Sequence, residues 1–556
     1  MWKYKKIKLQ KPDKFLIIGL SLGLVFCLYG IQWGWVETWH PDQMALRSLF
    51  HEGKLPLNPN YFAKPPFHTY LNLLLSRAPV YIVGTIFLDL PRDSLRPIEL
   101  IWSRMLTVLM FLGAIILVFC ITKRFFGLFA ARIISVIFAT SAGFIAFSHF
   151  LTADIPMLFW MLLAFYFIQN VLFGGKISDY ILAGVFTGVA TATKYNGLAI
   201  GVSIVVAHGL SLGLFSWKQM LFNKKLIVGL SMIPLGFLIC NPFALLDYPT
   251  FITHFMYNYA VAPVYTGITT GHGYWIFFLQ FIELIGLPSF FVFSVAFLFS
   301  LYSICFIKGN SVERKGLIVI LSVFLLYYYK FGSFPRLPAR FVMPIVPLYL
   351  IMSGPFWNKI KSYHIVVSGI LFIIFSYNLY ASFLVGKRFM GDPRTEAQKW
   401  VQRNIPNGSS IENSLFAPNW NYIEGIDLEL VGMPYINGRN KLFADILAAN
   451  PLVKQISETN IRNEAKAEQW YSSEQLLKRQ PDYIAIDSLY YSRFIDDESL
   501  IANYYPTMGR FFIDLLNEKY PYKIVFDKET KVTPIWIYPR EIDFLANRMT
   551  ILKKIK

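Results

Sequence analysis

Apolar runs recur along most of this chain, each near the 20 residues that an α-helix needs to cross a bilayer. The first is Phe15 to Trp35, and later ones begin near Ile98, Ile133, Ala153, Ile181, Leu198, Leu226, Leu284, Leu317, Phe341 and Ile365. The pattern predicts about eleven membrane-spanning helices. Lys3, Lys5, Lys6, Lys8, Lys11 and Lys14 precede the first run and no small-residue cleavage site follows it, so it reads as an uncleaved span rather than a removable signal. From about Lys387 the pattern becomes that of a soluble domain. Glu396 to Arg403 reads as an amphipathic helix ended by Pro406-Asn407-Gly408, and Tyr483 to Ile486 and Tyr522 to Phe526 read as strands. Pro534 to Tyr538 is expected to pair with the latter strand. Residues 1–386 therefore form a polytopic α-helical membrane domain, and residues 387–556 a mixed α/β domain.

Two polar interruptions exceed simple connections. Residues 36–97 contain Met44 to His51, a short helical stretch, and Phe67 to Val83, apolar on several faces and bounded by Pro79 and Pro91. Both read as helices lying at the membrane interface. The second interruption, Asp247 to Glu283, is a loop rich in Tyr, Gly and Pro, and long loops of this kind are often functional.

Charge orients the spans. Only 15% of the 556 residues are charged, against about 25% in a soluble chain, and mean hydropathy is +0.46. From Lys387 onward there are 23 basic and 22 acidic residues, leaving 29 basic and 12 acidic in the first 386, so the net +18 belongs almost entirely to the membrane half. A cytoplasmic N-terminus puts Lys123 to Arg132, Lys176, Lys218 to Lys225, Lys308 to Lys315 and Lys359 to Lys361 inside, as the positive-inside rule requires. The same parity puts Asp42, Lys64, Asp154, Lys194, Arg340 and the C-terminal domain outside. A bacterial inner membrane with a periplasmic active face fits this arrangement. The basic excess is explained by membrane topology, which leaves nucleic acid without support as a partner. Cys27, Cys120, Cys240 and Cys305 all sit in apolar runs without metal-knuckle or CxxC spacing, and read as small buried hydrophobes.

The candidate chemistry lies at the outer ends of the spans, where ionisable groups are costly and usually functional. Asp42, in Trp39-His40-Pro41-Asp42-Gln43, follows the first span; it reads either as an N-cap for Met44-Ala45-Leu46 or as a general base. Asp154, in Thr152-Ala153-Asp154-Ile155-Pro156, could likewise cap its helix or serve a site. Lys64, in Tyr61-Phe62-Ala63-Lys64-Pro65-Pro66, is either a lysine snorkelling to headgroups or a point charge for a phosphate. Lys194, in Thr193-Lys194-Tyr195, and Arg340, before Phe341-Val342-Met343-Pro344, carry the same two readings. His272, in Gly271-His272-Gly273, is a weaker candidate for substrate contact. The chain has no Walker loop, dinucleotide-binding glycine pattern, HExxH or serine elbow, so nucleotide-driven chemistry has no support. Two aspartates and one histidine could hold a divalent ion with waters, but nothing in the pattern demands a metal or other cofactor.

Taken in order, these motifs resemble the polyprenyl-phosphate-dependent glycosyltransferases of the GT-C fold, in particular the protein O-mannosyltransferases and the lipid A aminoarabinose transferases. In that family an acidic residue of the first outer loop, usually in an Asp-Glu pair, is the catalytic base; Asp42 matches it, with Gln43 in place of the second acid. Tyr61, Lys64 and Pro65 match the Tyr-Phe-x-Lys-Pro stretch that contacts the lipid phosphate. Asp154 matches the second acidic motif, Thr193-Lys194-Tyr195 the Thr-Lys-Tyr element, and Arg340, Pro344 and Pro347 the arginine before the late Met-Pro span. Asp392-x-Arg394-x-x-Ala397-x-x-Trp400 resembles the start of the family's outer-face domain. The resemblance implies a polyprenyl-phosphate sugar donor held by Tyr61, Lys64, Arg340 and Lys194. Asp42 would act as base in an inverting transfer to a lipid, glycan or protein acceptor, and Asp154 would orient the acceptor or sugar. The alternative from another class is a transporter or flippase of a lipid-linked sugar, which needs the cations but no base.

Overall fold

The computed structural model describes residues 13–35, 37, 39–42, 49, 55–213, 217–261, 273–306, 311–334, 337–442, 444–448, 451–496, 499–530, 533–540, 542 and 544–555. Among these, eight helices are long and apolar enough to cross a membrane, and Lys14–Leu28, Ile177–Thr193 and Gly273–Ile285 are shorter apolar helices. The expected second and third spans are one helical run, Leu95–Ala139, bent at Gly127. Gly127 has φ +85°, a conformation open to glycine but strained for other residues, so the chain reverses there with almost no loop. The arms fold back on each other, with the Phe111 and Phe138 rings 5.4 Å apart. Ala339–Ile360 and Asp154–Leu172 are the most buried of the long apolar helices, and Ile177–Thr193 packs closely on Lys224–Cys240 through glycines: a Cβ on Gly184 would collide with the Gly229 carbonyl.

Several sequence expectations change. Helix runs unbroken from Phe67 to Phe87, so Pro79 does not end it. A wide π-turn over Leu73–Arg77 precedes the proline, and the Leu75 carbonyl, which Pro79 cannot serve, instead accepts the Trp102 indole N–H at 3.0 Å. At 21 residues this helix also has the length and apolarity of a span. The stretch from Asp247 to Glu283 is mostly helical, with Tyr248–Val261 and Gly273–Ile285 flanking residues outside the described set. Met44 to His51 falls almost wholly outside that set.

The C-terminal domain is built on a five-stranded sheet of β1 (Ser410–Asn413), β2 (Glu429–Gly432), β3 (Tyr483–Asp487), β4 (Tyr522–Glu529) and β5 (Arg548–Lys554), in the order β2-β1-β3-β5-β4. The first three are parallel; β5 runs antiparallel to β3 and β4. Pro534 to Tyr538 is not a strand, and β5 takes the predicted pairing with β4 instead. The proline segment leaves the sheet and packs on the membrane helix His364–Met390: Tyr377 Oη donates to the Trp536 carbonyl and accepts from Tyr538 N, both at 3.0 Å. Pro534 in this segment and Pro539 just after it remove ladder donors, while Trp536 and Tyr538 supply interfacial anchors.

A buried knot joins the two parts. Asp392 caps the helix Pro393–Asn404, pairs with Arg394 at 2.7 Å with both side chains fully buried, and accepts the Trp33 indole N–H at 2.8 Å. The Arg394 guanidinium lies 4.6 Å from the Trp39 ring and donates to the Phe544 carbonyl at 2.8 Å. Asn419 N donates to Glu37 at 2.8 Å beside it.

Candidate active site

Asp42 reaches two cations from distant parts of the chain. One carboxylate oxygen accepts from Lys64 Nζ at 2.6 Å and the other from Arg340 Nη1 at 2.6 Å. Each partner is held by its own local structure. Lys64 precedes two prolines, and Pro66 leads into the helix that begins at Phe67. Its loop is pinned by Phe62, whose ring is fully buried and whose carbonyl accepts Tyr195 Oη at 2.7 Å. Arg340 sits in the short helix Ala339–Val342, started by Pro338. His40 Nδ1 accepts the Asp42 backbone N–H at 3.1 Å.

Asp154 opens the helix Asp154–Leu172, but the N-cap is Ala153 and the carboxylate makes no cap. It accepts from Lys194 Nζ at 2.5 Å instead. Lys194 ends the helix Ile177–Thr193 in an extended conformation, where the chain turns before Tyr195–Gly201, and its ammonium lies 5.4 Å from the Phe341 ring.

Charges set the state of Asp42. Burial works against its ionisation, but Lys64 and then Arg340 outweigh it and hold the carboxyl far below the ordinary carboxylate range. Burial pushes the His40 imidazole down to about 3; Asp42 and Asp154 work to raise it, Arg340 and Lys64 to lower it. His40 is thus neutral near pH 7 and free to accept at Nδ1.

Both acidic groups line one cavity of about 230 Å³, with Tyr61, Lys64, Lys194 and Arg340 on its wall. Tyr257 and Asn258, from Tyr248–Val261, close another side, and Tyr257 Oη donates to Asn440 of the C-terminal domain at 3.2 Å. A second chamber of about 780 Å³ shares Tyr195, Asn196, Asn258 and Phe341 with the first and is otherwise almost wholly apolar. Charged cavity and apolar chamber are therefore neighbours with a common wall.

Six of the seven residues singled out from sequence, Asp42, Tyr61, Lys64, Asp154, Lys194 and Arg340, line this one cavity; His272 lies outside the described residues. Sequence reading missed Tyr257 and Asn258, because the segment carrying them looked like a loop, and Tyr195, which stood in a quoted motif without a role. His40 was also missed; its place two residues before Asp42 is the only signal it gave. Among the described residues no group of three or more His, Cys, Asp or Glu side chains is placed to hold a metal ion.

Residues 99–245 match the model of the dolichyl-phosphate-mannose-protein mannosyltransferase family, a segment that includes Asp154 and Lys194. No curated protein matches the chain. The crystal structure of ArnT from Cupriavidus metallidurans bound to undecaprenyl phosphate is similar, with TM-score 0.53 at 12% identity over 97% of both chains. The apo form of that protein gives TM-score 0.51 at 12% identity, with the same coverage. A more distant likeness is to the archaeal oligosaccharyltransferase AglB from Archaeoglobus fulgidus, in complex with an inhibitory peptide and a dolichol-phosphate: TM-score 0.45 and 13% identity over 94% of this chain and 73% of that one. The resemblance carried by the motifs is borne out. By fold the chain is a GT-C membrane protein, and its residues 99–245 carry the sequence pattern of the dolichyl-phosphate-mannose-protein mannosyltransferase family.

Proposed function

We propose that the chain is a membrane glycosyltransferase that moves a sugar from a polyprenyl-phosphate donor to an acceptor at the outer face of the membrane. The observation that carries this reading is the shared wall between the cationic cavity and the apolar chamber. An amphiphile with an anionic head and a long apolar tail fits both at once. The undecaprenyl phosphate bound to the similar ArnT supports the same class of ligand.

Lys64 and Arg340 would hold the donor phosphate, with Tyr61 as a hydrogen-bond partner and Lys194 at the far side. Asp42 would take the proton from the acceptor as the acceptor atom attacks the anomeric carbon. The bond from that carbon to the phosphate oxygen breaks, and the electron pair leaves with the phosphate. A glycosyl phosphate diester carries one negative charge and its leaving group gains a second, so cations already in place stabilise the transition state more than the ground state. Attack opposite the leaving phosphate inverts the configuration. Asp154 would orient the acceptor or sugar.

In the donor-free chain both phosphate-binding cations rest on the base itself. A donor phosphate competes for them, which loosens their hold on the Asp42 carboxylate and makes it more basic as the complex forms. Binding of the donor and activation of the base are then one event.

The test supplies the purified protein in lipid bilayers with a panel of polyprenyl-phosphate sugars and a membrane extract as acceptor source. The reading expects free polyprenyl phosphate and a product of inverted anomeric configuration. Donor binding without release across the panel would favour a transporter of lipid-linked sugars.

A further inference from the structure

We propose that His40 is a positioning residue for Asp42, and that the C-terminal domain holds His40 in place through Phe544; the proposal rests on the reading of Asp42 as the base. His40 is 2% exposed and wedged between two rings, Phe150 of the membrane bundle and Phe544 of the C-terminal domain, each 4.5 Å from the imidazole. Its Nδ1 accepts the N–H of Asp42 at 3.1 Å, two residues on. That is the bond an asparagine side chain makes in an Asx-turn, and it fixes the backbone from which the Asp42 carboxylate projects.

Phe544 is itself held with force. Its backbone has φ +60°, a region where a bulky residue is an outlier and persists only when its surroundings over-determine it. Its carbonyl accepts from Arg394, and its ring also meets that of Phe416 at 5.8 Å. Arg394 in turn is bound to Asp392 and stacked on Trp39, the residue before His40. The path from the sheet domain to the carboxylate therefore has few links: Arg394, Phe544, His40, Asp42. Burial keeps the imidazole neutral, so Nδ1 stays available as an acceptor.

Lys64, Lys194 and Arg340 stand on other elements, so loosening His40 disturbs the base more than the phosphate clamp. A misplacement of an ångström can cost about 100-fold in rate. In full-length protein in nanodiscs, His40→Ala is expected to lower kcat by about 100-fold. Donor Kd should stay within about threefold of wild type, since a pure loss of transition-state geometry leaves ground-state binding alone. His40→Asn keeps an acceptor at the same place and should recover about tenfold or more of the loss. Phe544→Ala should share the kcat defect with donor affinity retained. Equal losses in His40→Ala and His40→Asn would overturn the proposal, as would a loss confined to donor affinity. Nitrogen NMR of histidine-labelled wild type, assigned with His40→Asn, gives a readout independent of transfer. The proposal expects an unprotonated Nδ1 and a protonated Nε2, and a protonated Nδ1 would refute the bond. A wild type that binds donor but transfers nothing would remove the base reading, and the positioning role with it, whatever the NMR shows.

Discussion

Asp42 and Asp392 each hold an arginine at hydrogen-bond distance, yet the two sites are built for opposite ends. Asp392 and Arg394 are both fully buried, and the carboxylate is satisfied by a guanidinium, a capped amide and the Trp33 indole. Asp42 keeps 30% of its side chain exposed, and Lys64, one of the two cations it is shared between, is 46% exposed. A closed pair with every lone pair used is a structural joint. An open carboxylate sandwiched by two cations on a cavity wall is, on the proposed reading, a set of charges waiting for another anion. Ion-pair distance does not separate the two; exposure and the number of partners do.

Breaking the two sites should therefore give different losses. The largest is expected for Asp42→Asn, which removes the proposed base and should cost about 10²–10⁴ in kcat with little change in thermal stability. Arg394→Met should do the reverse in kind. It strands a buried carboxylate, at a cost of about 3–5 kcal/mol, seen as a fall in Tm and in protease resistance of the C-terminal domain. Lys64→Met and Arg340→Met should each weaken donor binding by about 1.5–3 kcal/mol, the worth of one charge-assisted hydrogen bond, measured by titration with a donor analogue. Arg340→Lys should retain part of that.

The smallest and sharpest effect is on pH. The proposed base must be ionised to act, so rate is expected to fall as pH drops through its pKa. In the free protein Asp42 is held far below the usual carboxylate range, whereas in the proposed donor complex the phosphate would draw its cations away. The acid limb of kcat, which reports the complex, should therefore lie about 1–3 pH units above that of kcat/KM, which reports the free protein. Coincident limbs would mean that the phosphate leaves Lys64 and Arg340 on Asp42.

Much of this was legible because it depends on short-range pattern. Apolar runs marked the spans, charge asymmetry marked their ends, and five charged residues with Tyr61 marked the cavity. The rest turns on contacts between segments far apart in sequence. Pro79 looks like a helix end until Trp102 is seen to serve the Leu75 carbonyl. Pro534 to Tyr538 alternates like a strand, but its partners are Tyr377 and Tyr380 of a membrane helix, the Tyr380 and Trp536 rings stacking at 6.4 Å. Tyr248–Val261 is too rich in aromatic residues to show one clean face, because it meets the first loop, the cavity and the C-terminal domain at once. His40 shows in sequence only its place two residues before Asp42, since the ring that fixes it lies about 500 residues away, and the cost of loop closure grows so slowly with length that such distant contacts are readily formed.

The most direct test of the central claim is a single-turnover assay of wild type beside Asp42→Asn, each in nanodiscs with saturating polyprenyl-phosphate sugar and acceptor. Free polyprenyl phosphate and donor occupancy would be followed together. Release by wild type and its near absence in Asp42→Asn at equal donor occupancy is the predicted result. Equal release from both proteins would contradict the assignment of Asp42 as the base.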